Sequence, residues 1–186
     1  MPATPRKARA LALALAGLGI TASTMSALPA TAATGGSTSD TASTTTTATK
    51  TQRTARVSAE RRVANRVLTA RDIAMRQRGD AYAYGAAGPD RFDCSGLVRY
   101  SYSRAGLSVA RTSSAQAGQA RRIAKKDLRS GDLMFFYGSG GVYHAAIFLR
   151  WSRGHALMVH SPGSGQRVRV AVPWTSAWFA GTLRRA

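Results

Sequence analysis

The rhythm of apolar residues changes once along the chain, and that change limits the fold more than any single residue does. From Arg56 to Arg78, Val57, Val63, Val67, Ala70 and Ala74 recur at helical intervals, and Gly79 follows as a stop. Cys94 to Ala105 suits a second helix ended by Gly106. Between the two, the "GAAGPD" stretch, Gly85 to Asp90, is loop punctuation. Beyond them the period shortens. "DLMFFY" (Asp132 to Tyr137), "VYHAAIFLR" (Val142 to Arg150), "HALMVHS" (His155 to Ser161) and "RVRVAVP" (Arg167 to Pro173) are short, rich in β-branched and aromatic residues, and parted by glycine turns. Helices first and an antiparallel meander afterwards predict an α+β domain, with the sheet packed against the Cys94 helix.

The first residues have a different purpose. Arg6, Lys7 and Arg9 precede the apolar run Leu11 to Ile20, and Ala30-Thr31-Ala32 offers a small-residue cleavage pattern, so residues 1–32 read as a secretory signal peptide. The run is roughly half of the ~20 residues that span a bilayer, which predicts no transmembrane anchor. Residues 33–55 are Ser/Thr-rich with almost nothing bulky to bury, and are expected to form a disordered linker. Residues 56–79 then form a lead-in helix and residues 80–186 the main domain.

The formal charge is +19, which favours polyanionic surroundings. For an exported chain these are anionic wall polymers; no nucleic-acid recognition motif accompanies the charge, so no nucleic-acid partner is expected.

The chain has one cysteine, Cys94. Exported proteins with structural cysteines hold them in pairs, so a single thiol reads as an intermolecular link, an inert buried side chain or a nucleophile. Its place favours the last. At a helix start the sulfur faces unpaired N–H groups, which stabilise a thiolate, and small Ser95 and Gly96 leave room for a substrate.

A cysteine nucleophile needs a base, and the chain has three histidines. If the two strands around Trp151 to Arg153 form a symmetric hairpin, His144 lies directly opposite His160 on one face, with Cβ atoms about 5 Å apart. His155 falls near Leu149 on the other face. One imidazole must serve the sulfur while a second polar group fixes its tautomer. His144 is assigned as base and His160 as orienter. A zinc site from Cys94, His144 and His160 is the competing reading, but no HExxH or CxxC spacing supports it, and no metal or organic cofactor is expected.

These residues resemble the NlpC/P60 family of papain-like cysteine peptidases of bacterial cell walls. The resemblance runs from about Ala70 to Trp174. It is carried by "AMRQRGDAYAYGAAGPDRFDCSGLVRYSYSRAGL", "RTSSAQ" (Arg111 to Gln116), "RSGDLMFF" (Arg129 to Phe136), "GVYHAAIFL" (Gly141 to Leu149) and "MVHSP" (Met158 to Pro162). It implies a papain-like fold with N-terminal helices on a central antiparallel sheet, a catalytic domain at 80–186, and Cys94, His144 and His160 as catalytic residues. It also implies that the Tyr82 hydroxyl lies near the sulfur and helps the Cys94 N–H hold an oxyanion. Asp93 and Ser95 become candidates for contacting substrate, although Asp93 suits a helix cap equally well.

The substrate implied is the stem peptide of peptidoglycan, cut after D-glutamate by a secreted, wall-associated monomer. Because stem peptides carry carboxylates, Arg111 is the candidate to receive one, against the plainer reading of a solvated loop charge. Two departures from the family pattern stand in loops: Ala110 where proline is common before the "RTS" segment, and Ser130 where "RPGD" is common. Related enzymes with the same cysteine and histidine act as amidases or acyltransferases, and a basic wall-binding module without activity is the reading outside enzymes.

Overall fold

The computed structural model describes residues 41–184 of the chain. The expected signal peptide and the first part of the expected linker lie outside these residues. Helix α1 (Thr41–Arg76) leads into a two-stranded parallel pair, β1 (Ala81–Tyr82) and β2 (Arg91–Phe92), then α2 (Cys94–Arg104) and α3 (Ser113–Gln119). A six-stranded antiparallel sheet follows, built from β3 (Arg121–Ile123), β4 (Leu133–Gly138), β5 (Gly141–Ser152), β6 (His155–His160), β7 (Arg169–Ala171) and β8 (Trp178–Thr182) in the order β3-β8-β4-β5-β6-β7. The α+β architecture expected from the change of period is the one observed.

The sheet separates two apolar layers, as strand alternation requires. On the helix side, Leu133, Phe135, Ala145, Ile147 and Val159 pack with Val67, Ala70 and Ala74 of α1 and with Leu97, Val98 and Tyr102 of α2. The other face carries Met134, Phe136, Ala146, Phe148 and Met158 with Trp178 and Ala180. Helix α1 is seated by one close approach. Gly131 has φ +88, and a Cβ there would lie 2.7 Å from the Val67 side chain. The same turn gives its carbonyl to the Tyr102 hydroxyl and its N–H to Phe148 O at 2.8 Å.

Three differences from the sequence reading have physical causes. Helix α1 begins at Thr41, so residues 41–55 of the expected linker are helical. Once a helix is nucleated by the buried Val67–Ala74 turns, each added residue gains a bond without a new nucleus, and a polar run extends it. Arg56 also pairs with Glu60 one turn on, at 3.0 Å.

Strand β8, absent from the expectation, lies between β3 and β4. Its Gly181 weakens the strand signal, yet a side chain there would press on the Phe135 ring at 2.9 Å and the Ala120 methyl at 3.0 Å.

The hairpin register also differs. The turn is Arg153–Gly154, with φ 48 and 79, so Ser152 pairs with His155, Trp151 with Ala156 and Arg150 with Leu157. Continued unbroken, that register would set His160 opposite Ile147 and turn it to the helix side. Leu149 is instead bulged out, the pairing resumes as Phe148 with Met158 and Ile147 with Val159, and His160 comes level with Ala146. His144 and His160 thus share a face as diagonal neighbours rather than as a direct pair.

Candidate active site

Asp93 starts the site. It caps α2 with φ −89 and ψ 180, and its Oδ1 accepts the Gly96 N–H at 2.6 Å. Its Oδ2 accepts the Gly85 N–H at 3.0 Å, which draws the Gly85–Asp90 loop against the helix start. Gly96 permits this contact, since a Cβ there would collide with the Ala86 carbonyl, the group that receives the Asp93 N–H at 2.9 Å.

Arg111 closes the same carboxylate in a fork, with Nη1 to Oδ1 at 3.0 Å and Nη2 to Oδ2 at 2.5 Å, and Nη1 also reaches Ser95 Oγ at 3.0 Å. Burial alone would raise the Asp93 pKa. The bonds from Arg111, Gly96 and Gly85 outweigh it and hold the carboxyl below its ordinary range. Buried Gln116 donates to Ser95 O at 2.8 Å and Ala110 O at 2.9 Å, tying α3 to the first turn of α2.

Cys94 is the first residue of α2, half-buried and unpaired. Burial pushes its thiol up; the Ala145 N–H opposes this, the Asp93 carboxylate adds to it, and the N–H and hydroxyl of Ser95 oppose it. The balance is a raised pKa, which corrects the expectation of a thiol ionised by the helix start. Desolvation of the sulfur outweighs the two backbone N–H groups that face it.

The Ala145 N–H that meets the sulfur belongs to the residue next to His144. His144 is 5% exposed and His160 2%. Their rings stand edge to face with His144 Nε2 3.0 Å from His160 Nδ1. Burial, then the neighbouring His160, brings the His144 pKa down to about 3, with Asp93 opposing. Burial, then Arg169, brings His160 to about 4. At neutral pH the thiol and both imidazoles are therefore uncharged. Since Nε2 of His144 is directed at His160, Nδ1 is the nitrogen with which it can serve the sulfur.

Tyr82, on β1, also lies in this field: burial first, then Cys94, Asp93 and Tyr84 raise its hydroxyl pKa. The structure thus draws Tyr82, Asp93, Cys94, Ser95, Arg111, His144 and His160 into one neighbourhood, while exposed His155 stays at the hairpin turn, paired with Ser152.

Trp174 is the residue that the sequence reading missed. Its ring stacks on Phe136 at 4.3 Å and 8°, lies edge-on to His144 at 5.1 Å, and covers His160 at 5.7 Å and 24°. It remains 54% exposed. It falls in the stretch between β7 and β8, where no periodicity marks it. Among the described residues, no group of three or more His, Cys, Asp or Glu side chains is placed to hold a metal ion, and no helix is long and apolar enough to cross a membrane.

Comparison with known proteins places these features in context. The model of the NlpC/P60 family matches residues 79–185. A probable endopeptidase of Corynebacterium glutamicum is 42% identical over 93 residues, covering 50% of this chain and 42% of the relative. The probable endopeptidase p60 of Listeria monocytogenes is 37% identical over 92 residues, covering 50% of this chain and 18% of that protein. The chain thus spans less than half the length of these curated relatives. Among solved structures, the peptidoglycan hydrolase RipB of Mycobacterium tuberculosis superposes with a TM-score of 0.57 at 27% identity, over 67% of each chain. The NlpC/p60 domain of the peptidoglycan hydrolase SagA gives 0.56 at 29% identity, over 63% of this chain and 98% of that one.

Proposed function

The chain belongs to the NlpC/P60 family, and from that premise we propose that it is a secreted, wall-associated cysteine endopeptidase. Its substrate is the stem peptide of peptidoglycan, cut at the D-glutamyl to diamino-acid bond. The observation that carries this reading is the placement of the Cys94 sulfur against the Ala145 N–H, beside a histidine whose ring is held by a second histidine at 3.0 Å.

The resting neutrality of the site sets the order of events. As the sulfur approaches the scissile carbonyl, the thiol proton passes to Nδ1 of His144 and the S–C bond forms. The carbonyl oxygen becomes an oxyanion, received by the Cys94 N–H and the Tyr82 hydroxyl. His144, now an imidazolium, donates Nε2–H to Nδ1 of His160, which fixes the ring and keeps Nδ1–H aimed at the substrate. That proton goes to the leaving amine as the C–N bond breaks, leaving a thioester. His144 then takes a proton from water as the water oxygen attacks the thioester carbon. The C–S bond breaks, the peptide leaves with a new carboxyl group, and His144 returns the proton to the sulfur. No step requires a metal or organic cofactor.

Asp93 and Ser95 border the groove through the Arg111 fork. The Arg111 side chain keeps 30% of its surface exposed, and that outer edge is the donor offered to a stem-peptide carboxylate. Anionic wall polymers meet the basic surface.

Cys94→Ala tests the reading. Incubated with purified stem peptide, the variant should give no product while its circular dichroism spectrum matches the parent. Undiminished cleavage would overturn the proposal. Mass spectrometry of the parent's products from glycan-linked peptidoglycan fragments assigns the bond: a new amine on the diamino acid supports the endopeptidase reading, and loss of the glycan–peptide link would make it an amidase.

A further inference from the structure

A cavity of about 830 Å³ lies away from the cysteine, bounded by the middle of α1, the loop after α2, and the edge formed by β3 and β8. Four arginines enter it: Arg56, Arg66, Arg121 and Arg184. Val63, Leu107 and Leu183 give it an apolar floor. Leu107 follows the C-terminal end of α2 whereas Cys94 begins that helix, so the two sites are roughly 15 Å apart at 1.5 Å per residue.

Two of the four charges are already answered. Arg56 pairs with Glu60, and Arg184 with Asp132. Arg66 gives one N–H to Gly106 O at 3.1 Å, a neutral acceptor, and neither it nor Arg121 has a carboxylate within ion-pair distance among the described residues. Glu60 also lines the space but is taken up by Arg56, so two guanidiniums from different walls face it with no ion-pair partner of their own. The loop between them is braced, since Gln119 donates to Ser108 O at 2.8 Å and accepts the Ala110 N–H at 3.0 Å.

We infer that this cavity is an anion-binding site for a phosphodiester polymer, a chain of polyol or sugar phosphates. Guanidinium forks match phosphate oxygens in pairs, and the apolar floor accepts the carbon backbone between successive phosphates. A volume of this size holds more than one repeat, as ligand sites of about 300–1,000 Å³ do. Because the cavity lies beyond the far end of α2, an occupant leaves the cysteine groove open, so the site retains the protein on a polymer while the groove remains accessible.

The test is a titration of the mature chain with a fluorescently labelled glycerol-phosphate oligomer at near-physiological salt, read by anisotropy. Saturable 1:1 binding is expected, weakened about tenfold in Arg66→Gln/Arg121→Gln. Arg99→Gln/Arg150→Gln, which removes two exposed charges elsewhere, should change it less than about twofold. Ala59→Trp fills the cavity from α1 without removing charge and should weaken binding as the arginine pair does. Equal losses in both double variants, or no loss in Ala59→Trp, would overturn the assignment in favour of diffuse surface charge. Phosphatidylglycerol vesicles carry the same phosphodiester in a bilayer: vesicle binding that alone depends on Arg66 and Arg121 would also overturn it. Binding is read without cleavage, so failure here leaves the peptidase reading standing, and loss of peptidase activity leaves this one.

Discussion

Two buried aspartates, Asp93 and Asp132, each meet an arginine, and the contrast between them separates what holds this fold from what shapes its groove. Asp132 has no exposed side-chain surface and its partner Arg184 has 8%. It accepts the Thr182 hydroxyl at 2.6 Å and the Arg129 N–H at 2.8 Å, so one carboxylate ties the start of β4 to the end of β8. Asp93 serves mostly its own neighbourhood: the first turn of α2, the Gly85 loop and a half-open Arg111. The pair sealed from water has no substitute for a lost partner, whereas the pair at the groove does.

The largest effect should therefore come from the pair farther from the chemistry. Asp132→Ala leaves Arg184 buried without its counter-charge and should lower unfolding free energy by about 3–5 kcal/mol in urea denaturation. Activity per folded molecule should be unchanged. A loss below about 1 kcal/mol would mean that Arg184 finds water or another acceptor, and the contrast would lose one side.

Acid should act on the groove side first. His144 and His160 are depressed to about 3 and 4, whereas an unfolded histidine titrates near ~6.5. As pH falls the unfolded chain takes up these protons before the folded one, so stability is complete above about 6.5 and is lost from there toward 4. The Asp93 contribution, from a lowered pKa, stays intact until below about 3.9. The slope between pH 6.5 and 4 therefore belongs to the histidine pair, on the order of 4 kcal/mol between pH 7 and 5, about half from each ring. His160→Asn should roughly halve it, measured by urea midpoints at the two pH values, because burial still depresses His144. An unchanged slope would place the acid sensitivity elsewhere.

How much of this was readable in the sequence follows from how local each signal is. Asp93 and Cys94 announce themselves because a cap and the residue after it are set by neighbours within one turn. The β-rich second half gave the sheet for the same reason. The histidine pair was found through a register that differs from the real one: a two-residue turn and a bulge at Leu149 together restore the parity that a symmetric hairpin assumed. No residue type at Leu149 marks a bulge, because it arises from the competition between the tight turn and the burial of both strand faces.

Other features depend on distant partners. The contact between Trp174 and the two imidazoles joins residues from separate strands and a loop without period. The raised Cys94 pKa depends on burial, which a sequence pattern does not count. Helix α1 ran past its expected start because a polar Thr-rich segment reads as linker when the helix it extends is ignored.

The smallest effect on stability should come from Asp93→Ala, and its value lies in the mismatch with activity. The substitution removes the cap from α2 and the partner of Arg111. Loss of a cap costs about 0.5–2 kcal/mol, and the half-exposed guanidinium is rehydrated instead of stranded. Thermal stability should therefore fall only slightly beside Asp132→Ala. Activity should fall by more than about tenfold, because the turn that presents the sulfur and the Ser95 hydroxyl loses its anchor, and reacting groups displaced by about 1 Å lose that much or more. Asp93→Asn should recover most of the cap, since its side-chain oxygen still accepts the Gly96 N–H, but not the fork to Arg111. If kcat/KM follows the cap, Asn restores it; if it follows the charge pair, Asn stays as poor as Ala. Should Asp93→Ala instead unfold the protein as severely as Asp132→Ala, the groove carboxylate would be as much a part of the fold as the sealed one, and the division of labour between them would not hold.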